Sequence, residues 1–159
     1  MLEQLDEAFR GPSWHGPALL GSLRGLTASR AAWRPSAGRH NIWEIVVHAA
    51  YWKYIARRRI TGAKRGRFPM KGSNWFVRPS AGGSTKLRAS REWKDDLKLL
   101  IEQHEQLRDA VRRLPRRRLR AIVAHGRDTA AYTIRGIAAH DLYHAGQIQL
   151  LKRLMPKRS

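Results

Sequence analysis

Cysteine is absent from the 159 residues. That excludes disulfides, thiolate catalysis by the chain itself and cysteine-ligated zinc or iron–sulfur sites, so any metal must be held by His, Asp or Glu. Acidic residues are scarce: 12 stand against 32 Lys and Arg, a net charge of +20. Such an excess favours phosphate-rich partners electrostatically. The arginines are dispersed, however. The clusters Arg57-Arg58-Arg59, Arg112-Arg113 and Arg116-Arg117-Arg118 fall at predicted helix ends, where cations complement the negative end of the helix dipole. A solvated basic surface is therefore the first reading and a charge-driven nucleic-acid-binding protein a lesser one. Long apolar runs are also missing. No stretch approaches the ~18 apolar residues of a membrane span. Met1 to Arg10 carries acids and no apolar run, unlike a signal peptide, so a cytoplasmic protein is expected. Internal repeats and alternating strand patterns are not found.

What is present suffices for a packed interior. Apolar content is ordinary and there are six Trp, which fits one domain spanning residues 1–159. Met1 to Arg10 reads as a short amphipathic helix with Leu2, Leu5 and Phe9 on one side, interrupted by Gly11-Pro12. Ser13 then reads as the N-cap of a first bundle helix from Trp14 to about Leu26, with Pro17 in its first turn. Ala31 to Arg39 is a connection. His40 or Asn41 caps a second helix that runs to about Ile60 and stops at Thr61-Gly62; its first half is apolar almost all round and should lie deep. Ala63 to Thr85 has no helical period and reads as a long loop, with Trp75-Phe76 packing down on something. Ser84 or Thr85 opens a third helix to about Leu114, where Pro115 ends it. Arg116 to Asp128 suggests a short helical turn. Thr129 to Thr133 leads into a fourth helix that ends near Leu154, before Pro156. The expected fold is all-α, a four-helix bundle with a long loop between helices 2 and 3.

Seven histidines need sorting. His140 and His144 are one helical turn apart and share a face with Ile137, Ile148 and Leu151. Imidazoles placed among core residues need partners, because unpaired buried polar groups are costly. His48 sits in the middle of an inward stripe with Glu44, Trp52 and Ile55 on another helix. Together His48, His140 and His144 offer three nitrogen ligands from two helices, with a coordination position left open as in catalytic sites. The competing reading is three separate core histidines, each bonded to a carbonyl or an acid. Asp141 and Glu44 serve as ring partners in either reading. His104 reads as core packing or as a fourth contact. His15, His40 and His125 read as capping or exposed.

These same residues resemble a known family. His40 to Trp52 resembles the second helix of the DinB/YfiT-like superfamily, and Gly136 to Ile148 resembles the last helix of that bundle. Trp14 to Leu26 is similar to its first. The resemblance implies up-down-down-up topology, often a homodimer, and a divalent metal on three histidines, which fall on His48, His140 and His144. Zinc or nickel comes first and iron next. Characterised relatives include transferases that use low-molecular-weight thiols such as bacillithiol, mycothiol or glutathione. A mycothiol-dependent isomerase is more distant, and a non-catalytic metal-binding stress-response bundle is the alternative.

If a Zn-like ion is held, its open position can bind a thiol and lower its pKa, which fits a chain without cysteine. The thiolate then attacks an electrophilic small-molecule substrate. Metal-bound water as nucleophile is the other chemistry; it needs a general base, for which Glu44 and Asp141 are the candidates. Gln147 reads as a substrate contact or a packing amide. Trp52 and Trp75 read as pocket lining or as core.

Overall fold

The computed structural model describes residues 1–64, 66–79 and 85–156. Six α-helices are found among them: α1 (Leu2–Phe9), α2 (Leu19–Ser22), α3 (Ala28–Ala31), α4 (Ile42–Thr61), α5 (Lys86–Arg113) and α6 (Ala130–Leu154). A 3-10 turn (Arg116–Arg120) lies between the last two. The described residues contain no strand, only one isolated bridge between Ile122 and Thr129. None of these helices is long and apolar enough to cross a membrane.

The three long helices begin and end where the side chains supply what helix termini lack. The Asn41 side chain accepts from the Glu44 amide at 2.8 Å while the Glu44 carboxylate accepts from the Asn41 amide at 3.4 Å. This reciprocal capping box starts α4. Gly62, at φ 71°, closes it in the left-handed conformation that costs glycine nothing. Thr85 accepts from the Arg88 amide at 3.4 Å and starts α5; Thr129 accepts from the Tyr132 amide at 3.2 Å and starts α6. Ser84, the other candidate cap for α5, lies outside the described residues.

The first bundle helix expected from Trp14 to Leu26 does not form. Only Leu19–Ser22 is helical there. Gly16 has φ 126°, which no right-handed helix accommodates, and Trp14 is 98 % exposed. Ser13 does not cap this segment. Its Oγ donates to the Glu7 carbonyl at 2.7 Å and so satisfies the end of α1 instead. The expected connection after Ala31 is preceded by a further turn, α3, capped by Thr27.

Residues 42–50 of α4 are all buried, as their all-round apolar character requires. α4 packs on both α5 and α6, and α1 and α2 pack on α6. The long loop folds back over α4: Phe68 and Phe76 are buried against Tyr51, and Tyr54 packs on Phe68. Two bonds pin the loop's ends. Tyr54 Oη donates to the Gly66 carbonyl at 2.9 Å. The buried Asp96 of α5 accepts from Trp43 Nε1 at 2.5 Å and from Arg78 Nε at 2.8 Å. The loop is thereby held across the face of α4 that carries His48.

Candidate metal centre

His48 projects from α4, and His140 and His144 from α6. Their Nε2 atoms converge: His48 to His140 at 3.1 Å, and His144 to His140 at 3.0 Å. One ligand atom from each lies within 4.8 Å of the others. His48 and His144 are buried and His140 half-buried.

The far side of the His48 ring settles which of its nitrogens carries a lone pair inward. His48 Nδ1 lies 2.8 Å from the Asn74 carbonyl, which can only accept, so Nδ1 donates and Nε2 is the bare nitrogen. His144 Nδ1 is hydrogen-bonded to the Gln147 side-chain amide at 2.7 Å, and that amide also bonds Tyr143 Oη at 3.0 Å. His140 Nδ1 is buried without a hydrogen-bond partner. With its Nδ1 unpartnered, His140 can donate from Nε2 to only one of its two neighbours at a time; a shared cation would satisfy all three nitrogens at once.

Protonation does not supply that cation. Burial, together with the neighbouring His144 and His48, holds His140 down to about 3. Burial likewise brings His144 to about 4, against the opposing bond to Gln147, and keeps His48 below the ordinary imidazole range. All three rings are neutral at physiological pH, the state a metal requires.

The acids expected to orient these rings are engaged elsewhere. Glu44 accepts from Arg34 at 2.8 and 2.5 Å, bonds His40 Nδ1 at 3.0 Å and caps α4. Against the effect of burial, Arg34 and His40 hold its carboxyl below the usual range. It is an anchored anion, not a base beside the rings. Asp141 turns from its neighbour His140 to the fully buried Lys53 of α4. Gln147 does reach a ring. The other ring partner, Asn74, comes from the long loop and carries no periodic signal; its left-handed φ of 64° aims its carbonyl at His48 and its Oδ1 at Trp52 Nε1, 2.9 Å away. Asn tolerates that conformation better than most residues.

Trp75 stacks on His48 at 3.8 Å and, on its other face, on His40 at 3.6 Å. Trp52 packs edge-on against both His48 and His140. His104 lies apart from the trio, stacked on Phe9 at 3.8 Å with Nε2 3.5 Å from Asp6. His15 and His125 are exposed.

A cleft of about 180 Å³ runs from His140 along the seam of α4 and α6, walled by Trp52, Ile55, Ile137 and Tyr132. The site thus combines three converging neutral imidazoles with space for a small molecule beside them. No curated protein and no solved structure matches this chain. The family model of the DinB superfamily matches residues 13–148, which include α4, α5 and all three histidines, and the chain belongs to that superfamily.

Proposed function

We propose that His48, His140 and His144 hold a divalent metal ion, zinc or nickel first and iron next, and that the protein is a metal-dependent thiol S-transferase. The observation that carries this reading is the convergence of three Nε2 atoms, with the His48 tautomer set by Asn74 and His144 bonded on its far side to Gln147. The proposed architecture is the up-down-down-up four-helix bundle, with α1 and α2 together in the place of its first helix. A homodimer in the cytoplasm completes the reading.

A divalent ion bound there supplies Lewis acidity that lowers the pKa of a coordinating thiol toward neutrality. The chain has no cysteine, so the sulfur comes from a low-molecular-weight thiol cosubstrate. Its sulfur forms a bond to an electrophilic carbon of the second substrate as the leaving group departs. Asn74 and Gln147 keep the ring nitrogens facing inward. Trp75 and Trp52 cover the rings and exclude water. The cleft beside His140 receives the small-molecule substrate.

Metal analysis of untagged protein tests the first half. Near-stoichiometric metal is expected in the wild type, and loss of most of it in His144→Ala. A wild type that takes up no metal on supplementation, or a His144→Ala variant with full content, overturns the assignment. A screen of thiols against an alkylating electrophile tests the second half. Metal without turnover by any thiol would identify a non-catalytic metal-binding protein.

A further inference from the structure

α4 and α6 run antiparallel along the cleft: His48 meets His140 and His144, while Arg59 shares the far end with Asp128 and Tyr132. That far end holds one guanidinium and one carboxylate. They are not bonded to each other, and no other charged side chain among the described residues forms an ion pair with either. Arg59 is half-buried, with Cζ 5.8 Å from the centroid of the Trp52 ring. The indole, not an acid, holds this cation. Side chains on a helix lean toward its N-terminus, so Arg59 reaches back toward the trio. Trp52 lies between them, its ring 6.4 Å from that of His140. The backbone keeps Asp128 beside Arg59: the Ala124 amide donates to the Arg59 carbonyl at 3.1 Å, and the Val123 amide to the Asp128 carbonyl at 2.9 Å.

We infer that this end of the cleft is a head-group site for a small amino-acid-type zwitterion, its carboxylate on Arg59, its ammonium on Asp128 and its apolar side chain directed along Trp52 toward His140. An apolar cavity of ~150 Å³ admits benzene, so a cleft of about 180 Å³ has room for a benzyl or branched aliphatic group. Gly136 lines the same cleft. A Cβ added there meets nothing within 4 Å, so alanine would fit the helix without a clash. Glycine inside a helix is unfavourable relative to alanine, and here it leaves the cleft wider. That the zwitterion is a substrate rests on the function proposed above; that it binds does not.

The test is calorimetric titration of the wild-type chain with L-phenylalanine, 3-phenylpropionate and phenethylamine at ~0.15 M salt, where only contacts shorter than the screening length persist. Phenylalanine should bind about 10-fold more tightly than phenethylamine, which lacks the bond to the half-buried Arg59, and about 3-fold more tightly than 3-phenylpropionate, which lacks only the bond to the exposed Asp128. Arg59→Gln should abolish the preference over phenethylamine, and Asp128→Asn the preference over 3-phenylpropionate. Gly136→Ala should weaken all three probes without lowering the melting temperature. Equal binding of the three probes, preferences that survive both charge substitutions, or no binding of any probe overturns the inference. Metal content measured on the same samples separates the two readings: probe binding without metal uptake leaves this site standing and sinks the transferase, and metal uptake without probe binding does the reverse.

Discussion

His104 is fully buried and stacked on Phe9, and one ring nitrogen has no partner. Burial, aided by the nearby Lys53 cation, holds it at about 3, against the pull of Asp6. The unfolded chain protonates a histidine near pH 6.5. The folded state therefore resists a proton that the unfolded state accepts. Stability is full above about pH 6.5 and is lost as pH falls toward the folded value. His104→Phe keeps the stacking and removes this titration. In urea unfolding with chelator present, lowering the pH from 7.5 to 5.5 should shift the stability difference between the two proteins by about 1.4 kcal/mol in favour of the variant. Parallel pH dependences would show that His104 already binds a proton in the folded state. The trio differs from His104 in that three ring nitrogens converge on one point, and that, not burial, is what makes it a candidate metal centre.

At the scale of elements, α4 is held to α6 by Lys53 and Asp141, a wholly buried ion pair beside the trio. Burial pushes the lysine down and the aspartic acid up, and their mutual attraction opposes both shifts. Removing one partner leaves a charge stranded in the interior. Lys53→Met should cost about 3–5 kcal/mol in chemical unfolding, and Lys53→Met with Asp141→Leu should recover most of that loss. A single variant as stable as the wild type would mean that water reaches Asp141. Nothing in the sequence marked this pair, because a lone Lys in an apolar helix is expected to extend its ammonium to solvent. The same helix was otherwise legible, since Asn41, Glu44 and Gly62 are local signals read without tertiary context. So were the ends of α5 and α6. The segment from Trp14 to Leu26 was misread because Pro17 is acceptable in a first helical turn, whereas the backbone at Gly16 turns the wrong way. The three histidines were legible from one-turn spacing and apolar surroundings. Asn74 was not, since its role depends on where a non-periodic loop lands, and Glu44 and Asp141 were drawn away by Arg34 and Lys53, partners that only the fold brings near.

At the scale of the whole molecule, the charge of +20 is dispersed, with one arginine cluster away from the candidate metal centre. The C-terminal ends of α4 and α5 and the 3-10 turn enclose a groove of about 720 Å³ lined by Arg57, Arg113, Arg117 and Arg118. The one acid among the described residues lining it, Asp109, is already bonded to Arg112 at 2.9 Å. Guanidinium groups so placed repel one another and attract any polyanion. Attraction to phosphates by such a cluster gives affinity without sequence information. Duplex DNA should therefore bind weakly and without sequence preference, with log K falling against log salt at a slope of roughly −3 to −4 for a four-arginine contact. Arg117→Gln with Arg118→Gln should flatten that slope by about 2, because each phosphate contact contributes about 0.9. Fluorescence anisotropy with two unrelated duplexes across a salt series measures both quantities. A sequence preference that persists at ~0.3 M salt would contradict this account and would mean that the basic surface reads bases. With the expected slope and no preference, the charge accounts for polyanion attraction alone, and any specific chemistry belongs to the seam between α4 and α6.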